Sequence, residues 1–291
     1  MKNLMNLLLF GFISLSMLNS CDATQETASS QDTLVVKRHI LPDLVEETSG
    51  IIKYQNLIWT FNDSGGKPQI YGINLLNDSV KQVITLKNAI NNDWEDIAQD
   101  SSYIYIGDFG NNQGMRDSLV IYRIAKSSIP TSGNTEVLAE SIVFTYPDYT
   151  PVAVPVSWSA FDCEALVEMN NNLYVFTKDW TNGTSTIYSL PKNPGKYTAK
   201  KIKTINPEGL ITGADYQNGT LILIGYRSFV PFIFKFTTHN IAEIKDSNAK
   251  KYELTEISTY QTEGICLDDN KVLISSEKTR SPAQILELEL N

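Results

Sequence analysis

Three glutamates, Glu95, Glu164 and Glu263, each stand one residue before a small or acidic residue and two before an apolar one. The same pattern recurs as Ser49-Gly50-Ile51 and Thr212-Gly213-Ala214, so five copies stand 46, 69, 48 and 51 residues apart. Equivalent positions in a repeat point the same way. Three carboxylates brought together cannot all stay ionised without a compensating cation, and an oxygen-only set of ligands suits Ca²⁺ better than zinc. The glutamates can instead accept hydrogen bonds from the next unit or pair with Lys178, Arg116 or Arg227, and the sequence leaves both readings open. Catalysis by carboxylates alone follows from the same placement, through an acid/base pair drawn from Glu95, Asp96 and Glu164 or through a metal-activated water.

Other chemistries find little support. His39 and His239 are the two histidines, so a Ser-His-Asp or Cys-His site and a zinc site lack their imidazoles. The Gly-rich stretches NDSGG and GDFGNN follow strand-like segments and do not open a helix, which reads as turns and not as phosphate cradles.

The elements that must hold these residues are short apolar strands repeating near every fifty residues, the pattern of an all-β chain folded as a β-propeller. Unit one reads SGIIKY, LIWTFND, QIYGINL and VKQVITL, and units two to four repeat that order of four strands. Unit five has three, TEGICLD, KVLISSEK and AQILELEL. A blade without its outer strand leaves an open edge. TLVVKRHI, residues 33–40, is predicted to fill it and close the ring. Five blades are expected. The 69-residue interval leaves room for a sixth, although its excess falls in 146–161, where YPDYTPVAVPVSW reads as a proline-rich loop.

In such a ring the segment leading into each inner strand and the loop between the second and third strands open on one face. Asp63, Asp96, Asp108, Lys178, Asp179, Asp215, Tyr226, Arg227 and Glu277 are therefore expected to line a funnel, with Asp93 and Asp162 on the same face and Glu95, Glu164 and Glu263 as the metal ligands. Trp59, Trp94, Tyr105 and Tyr226 alternate with apolar residues, as blade packing does. Trp94, Trp158 and Trp180 also adjoin the loops, where an indole can stack on a sugar or another flat ligand.

Composition bounds the rest. With 291 residues, 42% of them hydrophobic, the chain can bury a sizeable core; its net charge of −9 and lack of a Lys/Arg run argue against nucleic acid as a partner. Lys2 and the apolar stretch Leu4 to Leu18 read as a signal peptide over 1–20, too short to span a membrane. Leu18-Asn19-Ser20-Cys21 resembles a bacterial lipobox, which implies a lipid on Cys21, a polar tether over 21–32 and a folded domain over 33–291. The expected setting is the cell envelope, with the chain lipid-anchored to a membrane, the outer one by the Asn/Lys-rich composition. Cys163 and Cys266, two blades apart, are expected to be reduced core residues.

The series NDSGG, NDWEDIA, YIYIGDFGNN with Arg116 and IYRI, then CEALV, TGAD and TEGI resembles secreted or lipid-anchored bacterial propellers of the SdiA-regulated family. More distantly it is similar to NHL and SMP-30/gluconolactonase-like propellers. The first resemblance says little about activity, and the leading expectation from the polar funnel is a binding or interaction module for a small molecule, glycan or protein. The second implies a metal-dependent hydrolase, lactonase- or phosphoesterase-like, with Glu263 or Glu95 as the metal-holding glutamate. Asp32-Thr33-Leu34, Asp78-Ser79-Val80 and Asp117-Ser118-Leu119 resemble a short bacterial O-glycosylation signal.

Overall fold

The computed structural model describes residues 34–152, 154–156 and 158–290. The signal peptide, Cys21 and the tether read from the sequence lie outside these residues. Among the described residues no helix is long and apolar enough to cross a membrane.

Five sheets form the five blades of a propeller. Their inner strands are Ile52–Tyr54, Trp94–Gln99, Asp162–Met169, Leu210–Gln217 and Thr262–Asp268. No sixth sheet occurs among the described residues, and 146–161 carries no strand there. The hairpins that leave the inner strands are set by local chemistry. Gln55-Asn56, Asn170-Asn171 and Asn218-Gly219 hold both turn residues at positive φ, the two-residue turn whose twist matches the flanking strands.

The ring closes as the sequence predicts. Leu34–Ile40 pairs antiparallel with Gln284–Glu289 and becomes the outer strand of blade five. His39, buried on that strand, bonds through Nδ1 to Asp78 of blade one at 2.7 Å. Two further strands escape the repeat pattern. Thr135–Val137 and Gly195–Thr198 each leave their own blade and pair in parallel with the outer strand of the blade before it. The core is accordingly not a single mass but five clusters, one between each pair of neighbouring blades. Trp59 and Phe61 pack on Trp94, Ile97 and Ile106 between blades one and two, with Phe61 edge-on to Trp94 at 5.4 Å.

The recurring tripeptide has a structural counterpart in every blade. Pairing of the inner strand with its neighbour slips by one residue between Thr48 and Ile52, Trp94 and Asp96, Cys163 and Ala165, Ile211 and Gly213, and Thr262 and Ile265. A bulge of this kind re-aims a side chain out of the pleat. It sets Ser49, Glu95, Glu164, Thr212 and Glu263 around the axis, all of them buried. In three of the blades the next position must then be glycine. A β-carbon on Gly213 would run into the Glu263 carbonyl and Gly264, one on Gly264 into Ser49 and Gly50, and one on Gly50 into Asp96. Blades therefore touch backbone to backbone at a waist.

Candidate functional site

At the waist stands Asp96, fully buried. Its Oδ1 accepts from the Ile97 amide at 2.8 Å, and its Oδ2 from the amides of Leu166 at 2.8 Å and Ala214 at 3.2 Å. One carboxylate thus ties blades two, three and four together. Burial pushes its carboxyl well up from the ordinary range, and the three N–H donors oppose that shift. Asp96 is a structural plug and not an open ligand group.

Above the plug, the funnel divides into two halves that share Glu95. In the first half, oxygens of Asp63, Asp93 and Glu95 lie within 4.8 Å of one another. Backbone bonds fix all three residues. Asp63 donates from its amide to the Glu47 carbonyl, and its own carbonyl accepts from Asn91 at 2.6 Å. The Asp93 carbonyl takes the amides of Phe109 and Gly110 at 3.1 and 3.2 Å. Gly110 is bare for a reason, since a β-carbon there would occupy the space of the Glu95 and Asp93 carboxylates. Asp63 Oδ1 is buried without a hydrogen-bond partner.

In the second half, oxygens of Glu95, Asp162 and Glu164 also lie within 4.8 Å of one another, but here the protein supplies the positive partner. Lys178 Nζ sits 2.7 Å from Glu164 Oε1, both side chains almost wholly buried, and rests 4.5 Å over the Trp180 ring. Desolvation pulls the ammonium down, but Glu164, Asp162 and Glu263 outweigh it and hold Lys178 well above its usual range. Asp162 accepts one hydrogen bond on each oxygen, from the Asn111 amide at 2.7 Å and from Trp180 Nε1 at 2.8 Å. Glu263 belongs to neither trio.

The remaining candidates separate. Tyr226 and Glu277 stand in the funnel, where burial and the neighbouring acids push the phenol to about 12 and the carboxyl to about 9. Asp108 is spent on scaffolding: it holds Arg116 at 2.9 Å and accepts from Asn92 and the Asp93 amide. Asp179 closes its own turn, accepting from the amides of Thr181 and Asn182 and from the Asn182 and Thr184 side chains. Arg227 lies at the rim, paired with Glu208 at 3.2 Å. Asp215 is three residues past Thr212 on a strand rising about 3.3 Å per residue, which carries it through the waist. It lines a separate cavity of about 560 Å³ on the opposite face and accepts from Leu267 at 2.7 Å. Trp94 is core, and Trp158 stacks on Trp180 at 4.7 Å with its own surface 59% exposed.

The crowded carboxyls make stability depend on pH with a definite sign. Burial, then the neighbouring acids, raise Asp63 to about 7, Asp93 to about 6 and Glu277 to about 9. Each binds its proton more tightly folded than unfolded, so the fold gains stability as pH falls from about 9 toward 5. Glu287, held low by the Lys271 ammonium, works the other way and loses its contribution below about pH 4. A melting series in a cation-free buffer should peak near pH 5; a maximum above pH 8 would contradict this placement of charge.

No family model and no curated protein matches the sequence, so the likeness to SdiA-regulated propellers rests on the quoted motifs. Solved structures match over most of the chain. The PQQ-bound aldose sugar dehydrogenase from Streptomyces coelicolor aligns at 10% identity and TM-score 0.52, over 89% of this chain and 98% of that one. Myxococcus xanthus glutaminyl cyclase aligns at 11% and 0.52, over 89% and 97%. The galactose complex of exo-β-1,3-galactanase from Phanerochaete chrysosporium aligns at 12% and 0.54, over 89% of this chain and 65% of that one. Identities this low establish a shared architecture: the chain is a five-bladed β-propeller.

Proposed function

We propose that the chain is an extracytoplasmic binding module, held at a membrane, by preference the outer one, through a lipid on Cys21, whose funnel takes a Ca²⁺ ion on Asp63, Asp93 and Glu95. The observation that carries the cation is that oxygens of these three carboxylates lie within 4.8 Å of one another and that one of them, Asp63 Oδ1, is buried without a hydrogen-bond partner. Acids at such spacing repel, and a hard cation with oxygen ligands relieves the repulsion. Relative to the three glutamates that the repeat singles out, this ligand set keeps Glu95, leaves Glu164 to Lys178 and leaves Glu263 outside.

The test is thermal unfolding of residues 22–291 with Ca²⁺ and with a chelator. Ca²⁺ at about a hundred times its Kd stabilises by about 2.7 kcal/mol, a rise of several degrees. Glu95→Gln should abolish the rise and Glu263→Gln should leave most of it. A rise that survives Glu95→Gln, or no rise in the wild type, defeats the reading.

A metal-dependent hydrolase of the lactonase or phosphoesterase type is a second reading, favoured by Glu277. Burial before all pushes its carboxyl up and favours its protonated form beside Asp63, the form that can serve as a general acid. Turnover of lactones or phosphoesters that Glu277→Gln lowers about a hundredfold, with Ca²⁺ stabilisation intact, would establish it.

A further inference from the structure

Beside the funnel, on the same face, a cleft of about 450 Å³ runs between blades three and four, within the range of small-molecule sites. Trp180 and Tyr226 form walls that it shares with the funnel, and Asn206, Glu208 and Arg227 line the outer side. From these walls we infer that the cleft binds a neutral oligosaccharide. The inference stands apart from the cation, since none of Asp63, Asp93 or Glu95 lines the cleft.

Three observations carry it. The first is the aromatic platform. Trp180 is fixed by the bond from its Nε1 to Asp162, and Trp158 extends it at a tilt of 39°, leaving an indole 59% exposed at the rim of a funnel mouth. Trp180, with Lys178 Nζ at 4.5 Å and Trp158 already against its ring, is the held wall of the cleft, and Trp158, just outside the lining, offers the open indole on which the C–H face of a pyranose can stack.

The second is the charge of the lining. Arg227 and Glu208 form a pair 3.2 Å apart, both side chains more than half exposed, and they are the charged residues of the cleft. The pair is net neutral. A guanidinium donates and a carboxylate accepts, so adjacent sugar hydroxyls satisfy both at once, whereas an anionic ligand would face the acids of the adjoining funnel.

The third is the floor. Gly183, at φ +64°, and Gly209 bring bare backbone together, with the Gly209 amide bonded to the Gly183 carbonyl at 3.2 Å. A β-carbon on Gly209 would run into Phe232 and the Tyr226 carbonyl. The direction of that β-carbon leads into the protein, so backbone and not a side chain lines the cleft at Gly209.

The test titrates cellotriose, xylotriose, laminaritriose, β-1,3-galactotriose, maltotriose and chitotriose into residues 22–291 in the presence of EDTA, read by tryptophan fluorescence and calorimetry. At least one should bind saturably below about 10 mM, with quenching or a blue shift of the indole emission. Trp158→Ala and Arg227→Ala, both at exposed positions, should each weaken that binding at least tenfold while the melting temperature holds. Glu95→Gln should leave it unchanged, which separates this cleft from the cation. Failure of every sugar to bind overturns the inference, and so does binding that both exposed variants retain.

Discussion

Asp96→Ala should be among the most damaging single substitutions in the ring. Removal of the carboxylate leaves the amides of Ile97, Leu166 and Ala214 without acceptors, in three different blades, at a fully buried point. A buried unsatisfied donor costs about 1–3 kcal/mol. Relief from desolvating the carboxylate returns part of this, so a net loss of about 4 kcal/mol and a fall in melting temperature of about 10 °C are expected. Asp96→Asn, with its oxygen in the Oδ2 place, keeps the bonds from Leu166 and Ala214 but turns its N–H₂ toward the Ile97 amide, and it should recover part of the loss and not all of it. Urea unfolding of the three proteins checks this, and a loss under about 1 kcal/mol for the alanine variant would show that the blades do not depend on a shared acceptor.

The fold was legible because its information is local and repeated. Strand alternation and a bulge tripeptide recur in every unit, Asn-bearing turns in three of them, and the strand missing from unit five has its replacement at the other end of the chain. The strands Thr135–Val137 and Gly195–Thr198 were not legible, since each pairs with a blade other than its own and carries no alternation to announce it. The funnel was read at the level of the face. What the tripeptide could not say is which acids meet. Asp63 and Asp93 come from loops, and their approach to Glu95 depends on the bonds of Asn91, Phe109 and Gly110 across two blades. Gly110 within GDFGNN was the available signal, because a glycine beside two acids often marks a close approach. Asp108 and Asp179 misled for the opposite reason. Short acidic side chains in turns serve the backbone as readily as a ligand, and nothing in residue type distinguishes the two uses.

The pair of Lys178 and Glu164 offers the second large effect, and one that reaches the cation. Lys178→Met removes the ammonium and leaves Glu164, 2% exposed, beside Asp162 and Glu95. An unpaired buried charge costs about 3–5 kcal/mol. Burial already holds the Glu164 carboxyl well up, and the ammonium is what opposes that shift, so in the variant Glu164 takes up a proton and the loss at neutral pH falls below that range, growing toward it as the buffer is made more alkaline. Adding Glu164→Gln to Lys178→Met should restore most of the stability, a coupling that a double-mutant cycle measures directly. An additive cycle would mean that the 2.7 Å contact contributes nothing. The ammonium also decides where a cation can sit. With Lys178 present, the trio of Glu95, Asp162 and Glu164 already holds a positive charge of its own, which repels a second cation and leaves Ca²⁺ with Asp63, Asp93 and Glu95. Without it, the second trio becomes an acidic site of the same kind, so Ca²⁺ should raise the melting temperature of Lys178→Met by more than it raises that of the wild type. A smaller rise would place the ammonium among the groups that help to hold the ion's ligands in position, and not among those that compete with it.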